Sequence, residues 1–264
     1  MFQKEKRQFW AWVSLGTFAL MVVVNALANL LPLNGVTTGE VSDAYFNLFA
    51  PTGLTFSVWG VIYLLTGAYA LLRVLRIRQE EGMAADPVFV RIDALFAISS
   101  ILNALWIFAW HFRVIWLSVA LMLGILLCLL RISFPLRKAG LLAKAAFGIY
   151  FGWITVATIA NVTTFLVSLG VPNDTVGATL QTMLVLLAGL GIGGATLLIQ
   201  KNPGYGLVLA WAYLGIYLKH VDPAQFDRGC ASVYNTALFA MIVFLVLTAF
   251  VVVLPSLKRP KTVR

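Results

Sequence analysis

The chain has 264 residues, 61% hydrophobic and 11% charged, with a mean hydropathy of +0.93; soluble domains carry about 25% charged residues, so a soluble fold is excluded. The net charge of +9 is not a nucleic-acid footprint, because the basic residues gather at the ends of apolar segments as membrane topology requires. Those segments are about 20 residues long, which fits membrane-crossing helices and not the ~10-residue strands of an outer-membrane barrel.

In chain order, basic Lys4, Lys6 and Arg7 precede an apolar run, Phe9–Leu31. It ends Asn25-Ala-Leu-Ala-Asn29, which imitates a signal-peptide cleavage site. The run is longer than a signal core, and Trp10 and Trp12 suit an interfacial belt, so an uncleaved first span is expected. Pro32–Gly53 is a polar loop holding Glu40 and Asp43 and no Lys or Arg. Span two covers Leu54–Leu75. A charged connection follows, with Arg73, Arg76, Arg78 and Arg91 among Glu80, Glu81 and Asp86. Spans three (Ile92–Phe112) and four (Val114–Phe134) are separated by almost nothing and form a tight antiparallel pair. His111 and Arg113 are read as solvated residues of that turn. Span five lies within Leu141–Leu169, and Pro172–Asp174 turns the chain into span six, Val176–Ile199. Span seven is short, Gly204–Leu218. A polar loop with Asp222, Asp227 and Arg228 leads to span eight, Tyr234–Leu254, and a basic tail.

The expected fold is all-α: a polytopic transmembrane helical bundle of about eight spans, its partner the lipid bilayer. Alternating the connections between two sides puts 16 of the 19 Lys and Arg on the side of both termini. The positive-inside rule makes that side cytoplasmic. The expected location is a bacterial cytoplasmic membrane.

Polar and aromatic residues on the spans mark candidate sites. Trp153, Ala157 and Asn161 recur at i, i+4, i+8 and share one helix face. Asn161 cannot face hydrocarbon cheaply, so it must find a partner helix or a ligand inside the bundle. Trp59, Tyr63 and Gly67 repeat the spacing on span two, and Asn103 and Trp106 lie at i, i+3 on span three. Read singly, each stripe is ordinary helix packing. Together they describe an aromatic cavity with a few hydrogen-bonding groups, the usual make-up of a small-molecule site. Gly189–Gly194 reads G-L-G-I-G-G, but it follows no strand, so it is read as helix packing and not as a nucleotide loop. Asn173-Asp174-Thr175 forms a glycosylation sequon. No metal-ligand spacing is present, and no disulfide is expected between Cys128 and Cys230.

These residues carry a resemblance. The order Trp59-x3-Tyr63-x3-Gly67, then Leu102-Asn103-x2-Trp106, then Tyr150-x2-Trp153-x3-Ala157-x3-Asn161 resembles the TspO/MBR family, the tryptophan-rich sensory proteins related to the mitochondrial translocator protein or peripheral benzodiazepine receptor. The resemblance covers about residues 9–169. It departs from the family pattern at Ala50-Pro51, Gly53, Ile107 and Ile149. It implies a five-helix membrane domain over residues 1–170, with three additional helices and a basic tail over 171–264. It also implies a cavity for porphyrins, sterols and similar planar molecules, covered by the Pro32–Gly53 loop and lined by Trp59, Tyr63, Asn103, Trp106, Tyr150, Trp153, Ala157 and Asn161. The expected function is therefore a sensory or binding protein that holds a tetrapyrrole- or sterol-like molecule. The alternative is a small-molecule transporter, against which no span carries a mid-membrane carboxylate or lysine. No enzyme activity and no cofactor are expected, since no nucleophile–base pair is visible. A second copy of the chain is a further admissible partner.

Overall fold

Hydrocarbon leaves no water to satisfy backbone amides, so each apolar segment must close its own hydrogen bonds and fold as a helix. The computed structural model describes residues 2–79, 88–171 and 176–257. The helices are α1 (Phe2–Leu30), α2 (Thr38–Ala44), α3 (Val58–Gln79), α4 (Val88–His111), α5 (Ile115–Ser133), α6 (Leu141–Ser168), α7 (Val176–Gln200), α8 (Pro203–Val221) and α9 (Ala231–Leu257). Short 3-10 turns at Leu33–Gly35, Gly53–Ser57 and Pro135–Lys138 join them. The sequon, the Pro172–Asp174 turn, Glu80, Glu81, Asp86 and the basic tail lie outside the described residues.

Among the described residues, seven helices are long and apolar enough to cross a membrane. The expected seventh span, α8, is not among them, because it carries Tyr205, Trp211, Tyr213, Tyr217, Lys219 and His220. Its polar load is tolerated because protein, not lipid, covers it: Tyr205, Tyr213 and His220 are all but fully buried. Its 19 residues span about 28 Å at 1.5 Å per residue. One end meets the first turn of α6, where Asn202 Nδ2 donates to the Lys144 carbonyl at 2.8 Å. The other end meets α2, where Lys219 Nζ pairs with Asp43 Oδ1 at 3.0 Å. Thus α8 runs the depth of the bundle.

Helices α1, α4, α5, α6 and α3 close a ring, each packing on the next and α3 returning to α1. The expected α4–α5 hairpin is present, turned at Arg113 with φ 57°. Outside the ring, α8 packs on α6, α9 on α8, and α7 on α9. Tyr150 and Ile154 of α6, Tyr205 and Leu209 of α8, and Phe244 of α9 belong to one hydrophobic cluster, so the core runs without a break past residue 170. Glycines permit the closest approaches. A Cβ on Gly67 would sit 2.9 Å from the Phe18 ring. Gly189 lies against the Tyr213 hydroxyl, and Gly193 against Leu209 and Phe244, which bears out the packing role of the glycine-rich run.

Two expectations are corrected. Arg73 is not part of a solvated connection: it lies inside α3, 6% exposed, paired with Asp93 at 2.8 Å. A charge at that depth is retained only with a counter-charge, and Asp93, one turn into α4, supplies it. His111 is not a solvated turn residue either. It is fully buried, with Nδ1 2.8 Å from the Ile107 carbonyl, while Asn34 Nδ2 donates to the His111 carbonyl at 3.0 Å.

Candidate functional site

The polar segment 32–57 folds across one end of the ring. Its short helix α2 is held by a capping box, in which Thr37 and Glu40 bond each other's backbone amides. The box and its hydrogen bonds from Thr37 hold the Glu40 carboxyl below the usual range. The segment is then pinned from both sides. From the ring, Trp110 Nε1 donates to the Thr38 carbonyl at 3.1 Å. From α8, Trp211 Nε1 donates to the Thr55 carbonyl at 3.0 Å, and His220 Nε2 donates to the Leu48 carbonyl at 2.8 Å. The Thr52 amide reaches the Gly215 carbonyl at 3.2 Å. The His220 ring stacks on Phe226 with centroids 4.4 Å apart, and Phe226 also meets Phe46 of the covering segment. Helix α8 and the turn after it thus act as a clamp on this cover.

Beneath the cover lies an aromatic chamber bounded by Phe56, Trp59, Trp106, Trp110, Trp153 and Asn161, with Thr38, Asn47 and Pro51 above them. Trp153 meets the Trp59 ring edge-on at 6.3 Å and the Phe56 ring at 5.6 Å. Trp106 stacks on Trp110 at 5.7 Å. The free space in the chamber is ≈ 30 Å³, about the volume of one water. A second cavity, a cleft of ≈ 570 Å³, opens beside it between α1, α2 and α3. The two share Phe56, Trp59, Trp106 and Thr38; the cleft adds Tyr63, Asn25 and Asn29. Only the cleft falls in the ≈ 300–1,000 Å³ range of small-molecule sites.

The candidate residues separate accordingly. Trp59 and Trp106 face both cavities, Tyr63 the cleft, and Trp153, Ala157 and Asn161 the chamber. Asn103 and Tyr150 line neither. Asn103 is fully buried, and its Oδ1 accepts from Asn25 Nδ2 at 2.8 Å, tying α4 to α1. Tyr150 is fully buried behind Trp59, ring centroids 6.0 Å apart. The amide of Asn161 is occupied by protein. Its Oδ1 accepts from Trp106 Nε1 at 3.2 Å and from Ser118 Oγ, and its Nδ2 donates to the Ala157 carbonyl at 3.1 Å. One side chain therefore joins α4, α5 and α6 and fixes the plane of the Trp106 indole.

Several residues of the site escaped the sequence reading. Trp110 sits one turn beyond Trp106 on the same face, and the i, i+4 rule applied to Trp106 would have found it. Ser118, the third member of the Asn161 junction, carries no signal, since a serine on an apolar helix usually bonds its own backbone. Phe56, Asn25 and the α8 clamp reach the site only through tertiary packing. Among the described residues, no group of His, Cys, Asp and Glu side chains could hold a metal ion.

A sequence model of the TSPO-like protein family matches residues 11–250, and the chain belongs to that family. The match runs beyond the expected boundary at residue 170 and takes in α7, α8 and most of α9. No curated protein and no solved structure matches the chain.

Proposed function

We propose that this membrane protein binds a hydrophobic planar molecule of the tetrapyrrole or sterol kind, and acts as a binding or sensory protein and not as an enzyme. The observation that carries the reading is that Trp59 and Trp106 form a shared wall between a closed aromatic chamber and an open cleft of ≈ 570 Å³. A flat ligand in the cleft stacks on those indoles, and Tyr63 and Asn29 supply hydrogen-bonding groups beside it. Val22, Ala26 and Leu30 of α1 give the cleft an apolar rim, which suits a molecule arriving from the bilayer. Movement of α2 and the covering segment would join the cleft to the chamber, where Trp153 and Ala157 wait.

The proposed orientation places both termini in the cytoplasm, from the 16-to-3 division of basic residues, and the cover on the opposite side. The test is quenching of intrinsic tryptophan fluorescence by a monomeric porphyrin, with purified protein in detergent. Saturable quenching that Trp59→Ala weakens supports the reading. Absence of quenching rejects tetrapyrrole binding. Counterflow of the same porphyrin in proteoliposomes would instead establish transport.

A further inference from the structure

At the end of the ring opposite the aromatic chamber, α3, α4 and the start of α6 enclose a cavity of ≈ 240 Å³. Arg73 forms part of its wall and is held rigidly. Its Nε and Nη2 donate to Asp93 Oδ2 at 3.0 and 2.8 Å, Tyr69 donates to Asp93 Oδ1 at 2.7 Å, and the guanidinium lies 4.8 Å over the Phe89 ring. One edge of the fork is thereby committed. Nη1 is not engaged by Asp93, while Arg73 as a whole is only 6% exposed. Arg76, one turn on, also lines the cavity and pairs with no carboxylate among the described residues. Among the described residues, neither Asp93 nor any other carboxylate lines it. The remaining wall is the first turn of α6, Gly140–Ala143. Gly140 has no capping side chain, and the first internal bond of the helix runs from Lys144 N to the Gly140 carbonyl. The amides of that turn have no partner among the described residues and can take an anion, at the end of the helix where its dipole favours one.

A buried, oriented guanidinium edge, a second arginine and a free helix start are the groups that hold a phosphate. Leu72, Phe89, Leu141 and Leu142 around them are apolar. We propose that this cavity binds a phosphate ester, the phosphate between Arg73, Arg76 and the first turn of α6, and any attached chain along the leucines. The same chemistry is offered by a membrane phospholipid headgroup and by a soluble phosphate ester. The basic side of a membrane protein is where anionic headgroups gather. The site is separate from the aromatic cleft and does not depend on what that cleft holds.

The test uses the full chain in detergent and native mass spectrometry with lysophosphatidylglycerol, glycerol 3-phosphate and an uncharged monoacylglycerol. Two variants leave the Arg73–Asp93 pair in place: Arg76→Gln, and Leu141→Glu at a position that is 84% exposed. The wild type is expected to take lysophosphatidylglycerol at least about tenfold more tightly than monoacylglycerol, and each variant to reduce that affinity about tenfold, the value of one charge-assisted hydrogen bond. Binding of glycerol 3-phosphate as well supports the site with a soluble ester as its source. Binding of the lipid alone supports it with the headgroup as its source. Equal affinity for the charged and uncharged lipids, or affinity that neither variant changes, overturns the proposal.

Discussion

Replacing Asn161 by leucine separates a structural amide from a ligand contact, and the structure sets the magnitude. Asn161 Oδ1 is the acceptor for two donors, Trp106 Nε1 and Ser118 Oγ. Both parent residues are buried, Trp106 at 4% and Ser118 at 0% exposure. In Asn161→Leu the Ser118 hydroxyl can turn to a carbonyl of its own helix, but the indole N–H, fixed in the chamber wall, cannot. One stranded buried donor costs about 1–3 kcal/mol. The leucine keeps the branched four-atom skeleton of asparagine, and any cost of its bulkier methyl groups adds to that loss. The expected loss is about 2 kcal/mol, or about 4–8 °C in thermal midpoint at roughly 2–4 °C per kcal/mol for a chain of this size. Ser118→Ala is the control: Asn161 keeps its bond to Trp106, and the loss should stay below about 1 kcal/mol. Thermal unfolding in detergent reads both, and porphyrin quenching is titrated on the same samples. Asn161→Leu with an unchanged midpoint and lost porphyrin affinity would refute the reasoning, because the amide would then serve the ligand and not the junction of α4, α5 and α6.

Trp153→Ala removes an aromatic face from the chamber and should weaken porphyrin binding about fivefold or more, measured by quenching of the remaining tryptophans. Gly215→Val drives a side chain into Thr55 of the cover and should lower stability by about 1–3 kcal/mol, whereas Gly191→Ala, with nothing within 4 Å of its new methyl, should leave the thermal midpoint unchanged. A reporter fused after Arg264 should behave as cytoplasmic, and a cysteine placed at Asp227 should label from the opposite side; a cytoplasmic Asp227 together with an external reporter would remove the traverse of α8. The Glu40 carboxyl is held below its ordinary value of 4.5 by its bonds from Thr37. Its contribution to α2 is therefore present above that value and fades as the pH falls through the lowered one. Wild type and Glu40→Gln should differ in hydrogen exchange of α2 near neutral pH and converge in acid.

The sequence alone determined the class of the protein. Long uncharged runs admit only helices in hydrocarbon, and the recurrence of Trp, Tyr, Asn and small residues at helical spacing was enough to identify the family and to place Trp59, Trp106, Trp153, Ala157 and Asn161 around one chamber. Periodicity reports which residues share a face, but not what that face meets. Asn161 and Asn103 read alike in sequence, as amides that hydrocarbon cannot accept. Packing gave Asn161 to Trp106 and Ser118 at the chamber wall, and Asn103 to Asn25 of α1, behind the wall of the cleft. Arg73 read as part of a charged connection because its partner Asp93 lies on another helix, 20 residues away in sequence. In sequence α8 read only as a short span, and only the fold shows that it is covered by α6 and α9 and clamps the segment over the chamber. Those contacts join residues as far apart as Leu48 and His220, and a contact of that range leaves no periodic trace in either segment.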